Sequence, residues 1–389
     1  MRLAVVSHKV CWPHDSAASG YATDGGFPFQ IHAISELFDE TRLLVPVVKE
    51  ANATGELPLS GRALSIVPLT VPSGKAFARK LRFPVWLAQN CASLLREIIR
   101  ADAVHTPIPG DVGTIGLLIA LILRKPLLIR HCGNWYVRRT AAEFFWRWIL
   151  ERAASPRTVV LATGGGATPP SGRNPRVRWI FSTSLREAEL REYGVARTHF
   201  RPAGPRLIIA ARQERAKGTG AVIQSLSLIE EQYPNVSLDV VGDGDALSEF
   251  RMMAANCGVA NRVRFHGKLD HTGVMTLLRA ADVFCFPTTS SEGFPKAVLE
   301  ALACGLPVVT TRVSVLGDLI SAGGGILLDE PTPAAVARGI IWCLADEERY
   351  RLLSARAIHT ASGYSLERWR DTIASLLIPG WGPLRSSYA

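Results

Sequence analysis

The chain has 389 residues, of which 48% are hydrophobic and 20% are charged, and its formal net charge is +10. This length suits two domains of similar size, and the composition excludes an intrinsically disordered chain. The seven cysteines are scattered without a CxxC pair, which argues against a zinc centre or a disulfide framework and favours a reducing, cytoplasmic location.

The first half contains apolar segments of strand length that alternate with segments of helical spacing. The predicted strands are 3–7, 41–48, 103–105, 127–131 and 158–162, and the predicted helices are 29–38, 83–100, 113–123 and 140–152. After the last of these strands, the Gly-, Pro- and Arg-rich stretch 164–178 is expected to form a surface loop.

The second half shows the same alternation more regularly. The predicted strands are 207–211, 236–241, 263–266, 283–287 and 307–310, and the predicted helices are 220–231, 246–257, 274–281, 296–304 and 364–377. Repeated βα units with short connections predict a parallel, doubly wound sheet. The residues around 197–205 have the composition of a linker, so we expect an N-terminal domain at 1–200 and a C-terminal domain at 205–365.

The excess positive charge lies entirely in the first half. Residues 1–200 hold 25 Lys and Arg against 15 Asp and Glu, whereas the rest of the chain holds 19 of each. One stretch interleaves basic and apolar side chains: Lys75, Phe77, Arg79, Lys80, Leu81, Arg82, Phe83 and Trp86. Such a stretch can attract anionic lipid headgroups or a phosphate-bearing acceptor, and a solvated basic face explains it equally well.

Two other classes of partner or location are not expected. A nucleic-acid partner is disfavoured because the sequence has no recognition helix, RNP-type strand or zinc finger. The longest apolar run, 112–123, is too short to cross a hydrocarbon core of about 30 Å as a helix. We therefore expect a cytoplasmic protein whose only membrane contact is peripheral.

The segment 286–310, FPTTSSEGFPKAVLEALACGLPVVT, carries the chemistry. A strand ends at Pro287, a polar loop follows, and a helix begins near Lys296. Ligands of open α/β sheets bind at the carboxyl ends of strands, and the partial positive charge of a helix N-terminus suits a pyrophosphate. Glu292 lies in the loop, within reach of sugar hydroxyls. Glu300 lies about two helical turns further on and could accept hydrogen bonds from a ribose diol.

These residues resemble a known family. Glu292 and Glu300 reproduce the E-x7-E pattern of retaining glycosyltransferases, and EGFPKAVLEALACGLPVV is similar to glycosyltransferase family 4. Other motifs follow in the family's order: Ala211-Arg212 through Lys217-Gly218, Val241-Gly242-Asp243-Gly244, Phe265-His266-Gly267 and Ala281-Asp282-Val283. The resemblance covers 207–329. It implies the GT-B fold, with two Rossmann-like domains whose parallel sheets face each other across an interdomain cleft, and with the C-terminal helix at 366–389 packed back on the N-terminal domain.

The resemblance also implies roles for residues of the second half. Arg212 and Lys217 would bind the donor diphosphate, a task that suits both a guanidinium and an ammonium group. Glu292, with the backbone of Gly293, Phe294, Pro295 and Lys296, would hold the transferred sugar, and Glu300 would hold the ribose. Two surface cations are the ordinary alternative for Arg212 and Lys217.

In the first half the resemblance rests on shorter motifs. Gly25 and Gly26 precede a predicted helix and resemble the family's glycine-rich loop for phosphate or acceptor, although an ordinary turn fits them equally well. His131 ends an apolar strand and matches in position the family's histidine that faces the donor sugar; a structural histidine is the alternative. Asp243 and Asp245 form a DxD-like string, for which a tight turn is favoured over a metal site.

The resemblance implies a retaining glycosyltransferase that moves a hexosyl group from a UDP- or GDP-sugar to a glycan or lipid-linked acceptor, as in cell-surface polysaccharide synthesis. No metal and no cofactor other than the nucleotide-sugar co-substrate are expected. A nucleotide-sugar epimerase of the same fold and a non-catalytic sugar-nucleotide-binding subunit stay open. An NAD-dependent oxidoreductase is disfavoured because no GxGxxG follows the first strand of either half.

Overall fold

A computed structural model describes residues 1–49, 56–74, 76–135, 137–138, 140–291 and 293–386. The chain forms two compact units. Unit 1 consists of the described residues of 1–163, 167–181 and 366–386, and unit 2 consists of those of 164–166 and 182–365. Residues 182–200, which the sequence pattern assigns to the N-terminal domain, therefore group with unit 2. There Arg197 donates hydrogen bonds to the carbonyl oxygens of Ala281 and Cys304.

Unit 1 is built on a parallel sheet of seven strands in the order β10-β9-β8-β7-β1-β4-β6, and three further short strands pair antiparallel as β2-β3-β5. The strands are β1 (Arg2–Val6), β2 (Trp12–Pro13), β3 (Tyr21–Thr23), β4 (Glu40–Pro46), β5 (Leu57–Pro58), β6 (Leu64–Leu69), β7 (Ala103–Ile108), β8 (Leu127–His131), β9 (Thr158–Thr163) and β10 (Val177–Ile180). Every residue of β7 and β9 is buried, as expected for parallel strands covered on both faces.

Helices cover both faces of this sheet. They are α1 (Phe27–Ser35), α2 (Ala76–Arg100), α3 (Asp111–Ile122) and α4 (Ala141–Ala153). Trp86 of α2, Leu117 of α3 and Leu150 of α4 belong to one core cluster, so these three helices form a layer on the same face of the sheet. Helix α1 packs on the opposite face through Ile31 and Ile34.

Unit 2 is built on a parallel sheet of six strands in the order β13-β12-β11-β14-β15-β16. Its elements in chain order are α5 (Glu187–Tyr193), β11 (Arg206–Ala210), α6 (Thr219–Ile229), β12 (Ser237–Val241), α7 (Leu247–Asn256), β13 (Val263–Gly267), α8 (His271–Ala280), β14 (Val283–Phe286), α9 (Lys296–Ala303), β15 (Val308–Thr311), α10 (Leu316–Ser321), β16 (Gly325–Leu328), α11 (Pro333–Cys343) and α12 (Glu347–Ser362).

The last helix, α13 (Leu366–Trp381), belongs to unit 1. Trp369, Ile373 and Leu377 are buried in the same core cluster as α1, and each such side chain contributes about 1.5–3 kcal/mol when it is fully removed from water. Arg370 adds an ion pair with Glu36. The chain therefore returns to its first unit after completing the second.

Some elements are not predicted from the sequence. Strand β10 begins at Val177, inside the end of the predicted loop 164–178. The sequence does not predict this edge strand because its apolar pattern is short and contains the exposed Arg178. Helix α2 begins at Ala76 rather than at residue 83 and contains Pro84. The burial of Trp86 and Leu94 shows that packing outweighs the hydrogen bond lost at the proline.

Candidate functional site

The loops that follow β11 and β14 are joined at the carboxyl edge of the unit 2 sheet. The first loop contains a short 3-10 turn, Arg215–Lys217, directly before α6. Its Ala216 carbonyl accepts hydrogen bonds from the Thr289 N–H and the Thr288 hydroxyl, both at 2.9 Å. The loops that follow two neighbouring strands are thus fixed to each other by hydrogen bonds. The carboxyl ends of strands are the usual position of a ligand site in an open α/β sheet.

Gly218 makes the close approach of these loops sterically feasible. Its φ is +87°, a left-handed conformation that favours glycine, and a Cβ atom at this position would lie 2.3 Å from the Pro287 carbonyl oxygen. Helix α6 begins at the next residue, Thr219. A residue with a side chain would therefore push apart the two loops that Ala216 joins.

Gln213 links three parts of the same edge. It is fully buried, and its Nε2 donates to the carbonyl oxygens of Ala211 and Val241, both at 2.9 Å, while its Oε1 accepts from the Thr219 hydroxyl at 2.8 Å. The ends of β11 and β12 and the start of α6 are therefore held by one side chain. Sequence reasoning missed this residue, which lies three positions after the end of β11.

The two predicted phosphate ligands have different environments. The Arg212 side chain is 76% exposed and pairs with Glu214 at 2.8 Å. Lys217 is only 5% exposed. An exposed ion pair contributes about 0–1 kcal/mol, so little free energy is lost if Arg212 exchanges its carboxylate partner for a phosphate.

The N-terminus of α9 lies at the end of the second loop. Lys296 is the first residue of the helix, and Pro295, the residue before it, supplies no side-chain cap. Phe294 is buried, with its ring centroid 5.5 Å from that of Tyr364, and Gly293 is half-buried. Because helix N-termini have partial positive charge, this end can attract an anion that approaches the loop.

Glu292, the predicted ligand of the transferred sugar, lies outside the described residues. The preceding Ser291 is placed with its Oγ 2.6 Å from the Oγ of Ser314, in the loop that follows β15. The Thr311 hydroxyl at the end of β15 also donates to the Thr288 carbonyl. A third loop is therefore attached to the segment that leads to Glu292.

Glu300 lies in the second turn of α9 in a polar cluster. One of its carboxylate oxygens accepts a hydrogen bond from the Ser184 hydroxyl at 3.0 Å and lies 3.7 Å from Nδ1 of His271. Burial raises the pKa of Glu300 above its ordinary value, while His271, Ser184 and Lys296 act in the opposite direction. Ser184 and His271 were not found from the sequence, since they come from distant segments.

Asp243, the first residue of the DxD-like string, forms a turn. Its carboxylate accepts a hydrogen bond from the Gly244 N–H at 2.8 Å, and its carbonyl accepts one from the Gln213 N–H. Across the residues that the structure describes, His, Cys, Asp and Glu side chains do not gather in groups of three or more that could hold a metal ion.

In unit 1, His131 is the last residue of β8 and packs edge-on against Trp135, with ring centroids 5.1 Å apart. Its Nδ1 is buried without a hydrogen-bond partner among the described residues. Burial lowers the pKa of His131, so the ring is neutral at pH 7 and can donate from one nitrogen and accept at the other.

The predicted glycine pair lies at the start of α1. Gly25 has φ +69°, and no atom lies within 4 Å of the position of an added Cβ. Gly26 directly precedes the helix and has no side chain with which to cap it. The local geometry is thus compatible with a ligand close to the backbone as well as with an ordinary turn.

Comparison with known proteins identifies the second half. Residues 196–360 match the family described as "Glycosyl transferases group 1". This matched segment, the group 1 domain, makes up most of unit 2. The predicted resemblance of 207–329 to a glycosyltransferase family is confirmed.

Curated relatives match this chain over part of its length. A phosphatidyl-myo-inositol mannosyltransferase of Mycobacterium tuberculosis is 32% identical over 152 residues, which are 37% of this chain and 39% of the relative. A D-inositol 3-phosphate glycosyltransferase of Xylanimonas cellulosilytica is 31% identical over 175 residues, 44% of this chain and 41% of the relative. The chain thus spans less than half the length of these two relatives.

Solved structures match the chain over almost its full length. HepE of Anabaena in complex with UDP has a TM-score of 0.67 at 18% identity and covers 97% of this chain and 99% of its own. Sucrose-phosphate synthase of Thermosynechococcus elongatus has a TM-score of 0.69 at 18% identity, covering 97% and 98%. The predicted GT-B class, with two Rossmann-like domains on parallel sheets, is confirmed.

Within the group 1 domain, the structure brings Arg212, Lys217 and the segment 293–296 onto two linked loops, and it places Glu300 in the second turn of the adjoining helix. His131, Gly25 and Gly26 lie in unit 1. The donor-binding and catalytic roles of all these residues stay predictions.

Proposed function

We propose that this chain is a retaining glycosyltransferase that transfers a hexosyl group from a UDP- or GDP-sugar to a hydroxyl group of a glycan or lipid-linked acceptor in cell-surface polysaccharide synthesis. The main supporting observation is the pair of hydrogen bonds that the Ala216 carbonyl accepts from Thr288 and Thr289. These bonds hold the loop of Arg212 and Lys217 against the loop that leads to α9. The names of the relatives agree: one is a mannosyltransferase, and HepE was solved with UDP.

The proposed chemistry centres on the leaving group. Breaking the anomeric C–O bond leaves negative charge on the β-phosphate of the nucleotide. Arg212, Lys217 and the N-terminus of α9 would stabilise that charge with a guanidinium, an ammonium group and a helix dipole, without a metal ion. Glu292 would hold hydroxyl groups of the transferred sugar, and Glu300 would accept hydrogen bonds from the ribose.

Neutral His131 would hydrogen-bond a hydroxyl of the donor sugar. Gly25 and Gly26 would allow a phosphate or the acceptor to approach the backbone. We assign no protein nucleophile, because no carboxylate in the first-half motifs is positioned by the family pattern to attack the anomeric carbon. Transfer on one face of the sugar, with retention, is the mechanism that follows.

We also propose that the reaction takes place in the cytoplasm or at the cytoplasmic face of a membrane. All seven cysteines are free, which agrees with a reducing compartment. A lipid-linked acceptor would bring the enzyme to the membrane surface, in agreement with the basic composition of the first half.

The test is to incubate the full chain with a panel of UDP- and GDP-sugars, with and without glycan and lipid acceptor fractions. We expect release of the nucleoside diphosphate only with an acceptor, a product that keeps the anomeric configuration, and no loss of rate in EDTA. An epimerised sugar formed without acceptor would instead identify an epimerase, and binding without turnover would identify a non-catalytic subunit.

Variants locate the site in the same assay. Arg212→Gln should lower transfer by about 10- to 150-fold, because a hydrogen bond to a charged group contributes about 1.5–3 kcal/mol. Arg215→Gln is the matched control, since Arg215 lies in the same loop as Arg212, is 80% exposed and pairs with Glu249 of α7. Glu292→Ala should abolish transfer with the fold intact. Equal activity of the Arg212 and Arg215 variants would contradict the assignment.

A further inference from the structure

One surface of unit 1 is not used by the proposed chemistry. Helix α4 turns outward three aromatic side chains, Phe144, Phe145 and Trp148, which are 52%, 55% and 47% exposed. Its inward side supplies Leu150 to the core. A cluster of large exposed aromatic side chains on one helix face marks an interaction surface rather than an ordinary solvated helix.

Arginines accompany these rings. The Arg138 guanidinium lies 4.6 Å from the ring centroid of Phe144, and that of Arg152 lies 5.9 Å from the ring centroid of Trp148. The rings of Phe145 and Trp148 stack with centroids 6.3 Å apart. Aromatic rings beside cations suit the interfacial zone of a bilayer, where rings lie at headgroup level and guanidinium groups reach phosphates.

The charge of the whole helix layer has the same sign. Residues 76–157, which include α2, α3 and α4, hold thirteen Lys and Arg against five Asp and Glu. Each of the five acids is engaged: Glu97 with Arg42, Asp102 with the Arg2 N–H, Asp111 with Arg79, Glu143 in the capping box of α4, and Glu151 with Arg147. The segment that forms this layer therefore has a net positive charge, and Arg82, Arg96, Arg138 and Arg152 are among its exposed residues.

The basic aromatic stretch of α2 contributes less to this face than the sequence indicates. Trp86 is buried, Phe83 stacks on it at 5.1 Å, and Arg79 is paired with Asp111. The aliphatic Leu81 and Val85 are 66% and 60% exposed, and Arg82 between them is also exposed. The side chains of Lys75, Phe77 and Lys80 lie outside the described residues. In addition, within the described ranges no helix combines the length and apolarity needed to cross a membrane.

We propose that the outward face of α4, formed by Phe144, Phe145 and Trp148 with Arg138 and Arg152, docks unit 1 on an anionic lipid surface. The charge of the face decides between occupants. Anionic headgroups complement it, whereas a second copy of the chain docked through the same face would bring like charges together.

The test is co-sedimentation of the full chain with vesicles of phosphatidylcholine, with or without phosphatidylglycerol. We expect binding that requires phosphatidylglycerol and weakens with salt.

R138Q/R152Q should bind about 30-fold more weakly, at about fivefold per arginine. F144S/F145S/W148S should lose on the order of tenfold or more, because its exposed rings no longer leave water. Both arginines are exposed, so R138Q/R152Q keeps the test valid if the aromatic variant unfolds.

Unit 2 offers a matched control. Trp342 is 38% exposed, with the Arg349 guanidinium 5.2 Å from its ring centroid. W342S/R349Q should bind vesicles like the wild type. The proposal would be overturned if R138Q/R152Q bound vesicles as strongly as the wild type. It would also be overturned if the control variant lost as much vesicle binding as R138Q/R152Q. A wild-type dimer in light scattering that the α4 substitutions convert to monomers without changing vesicle binding would overturn it as well. The proposal rests on the membrane-face location in the proposed function, but the readout needs no sugar transfer, so its failure would not contradict the proposed reaction.

Discussion

Gly218→Ala tests the junction on which the donor site depends. A left-handed φ costs a residue with a side chain about 1–2 kcal/mol, and forcing extra atoms into a packed site costs about 1–3 kcal/mol. Since the new Cβ would lie 2.3 Å from the Pro287 carbonyl oxygen, both costs apply. The free energy of unfolding should fall by about 2–5 kcal/mol, measured by urea denaturation with linear extrapolation.

The same substitution should weaken nucleotide-sugar binding in isothermal titration calorimetry, because separating the loops moves Lys217 away from the start of α9. Gly258→Ala is the control. Gly258 lies in the same unit with φ +71°, but nothing lies within 4 Å of its added Cβ. It should lose only about 1–2 kcal/mol and bind the donor normally. Equal losses of stability and equal affinities in the two variants would refute the reasoning.

Two further substitutions probe the polar groups of the site. Gln213→Leu should lower stability by at least about 1–3 kcal/mol, the cost of one unsatisfied buried polar group, and weaken donor binding in calorimetry; wild-type values for both would contradict its positioning role. Glu300→Gln tests pH dependence: since the folded-state pKa of Glu300 is raised above 4.5, the contribution of Glu300 to wild-type stability should be greatest below that pH and decline as the pH rises through the folded-state pKa. The variant should lack this decline. If the urea midpoints of the wild type and the variant changed in parallel with pH, the expected effect of Glu300 would be contradicted.

The βα alternation of the second half could be predicted because its strands are short continuous apolar runs. Strands β11, β12 and β14 appear within two residues of their predicted bounds. The sequence did not predict strand β6 or the antiparallel strands β2, β3 and β5, since these strands are short or only partly buried. Their formation depends on partners already in place rather than on a local pattern.

For the candidate site, the motifs located the correct loops but not their internal contacts. The E-x7-E spacing places Glu300 on α9, yet its partner Ser184 is 116 residues away in the sequence. In the same way, the burial of Lys217 depends on packing between loops that no periodicity describes. Tertiary contacts of this kind arise when separate βα units pack at one sheet edge, so a single sequence does not reveal them.

The central claim is that a nucleotide diphosphate binds at the linked loops after β11 and β14. Hydrogen–deuterium exchange of the full chain with and without UDP and GDP tests it most directly. With the nucleotide that binds, we expect slower exchange in peptides spanning 211–220 and 288–299. Demonstrated binding that leaves both segments unchanged, or that protects only unit 1, would contradict the account.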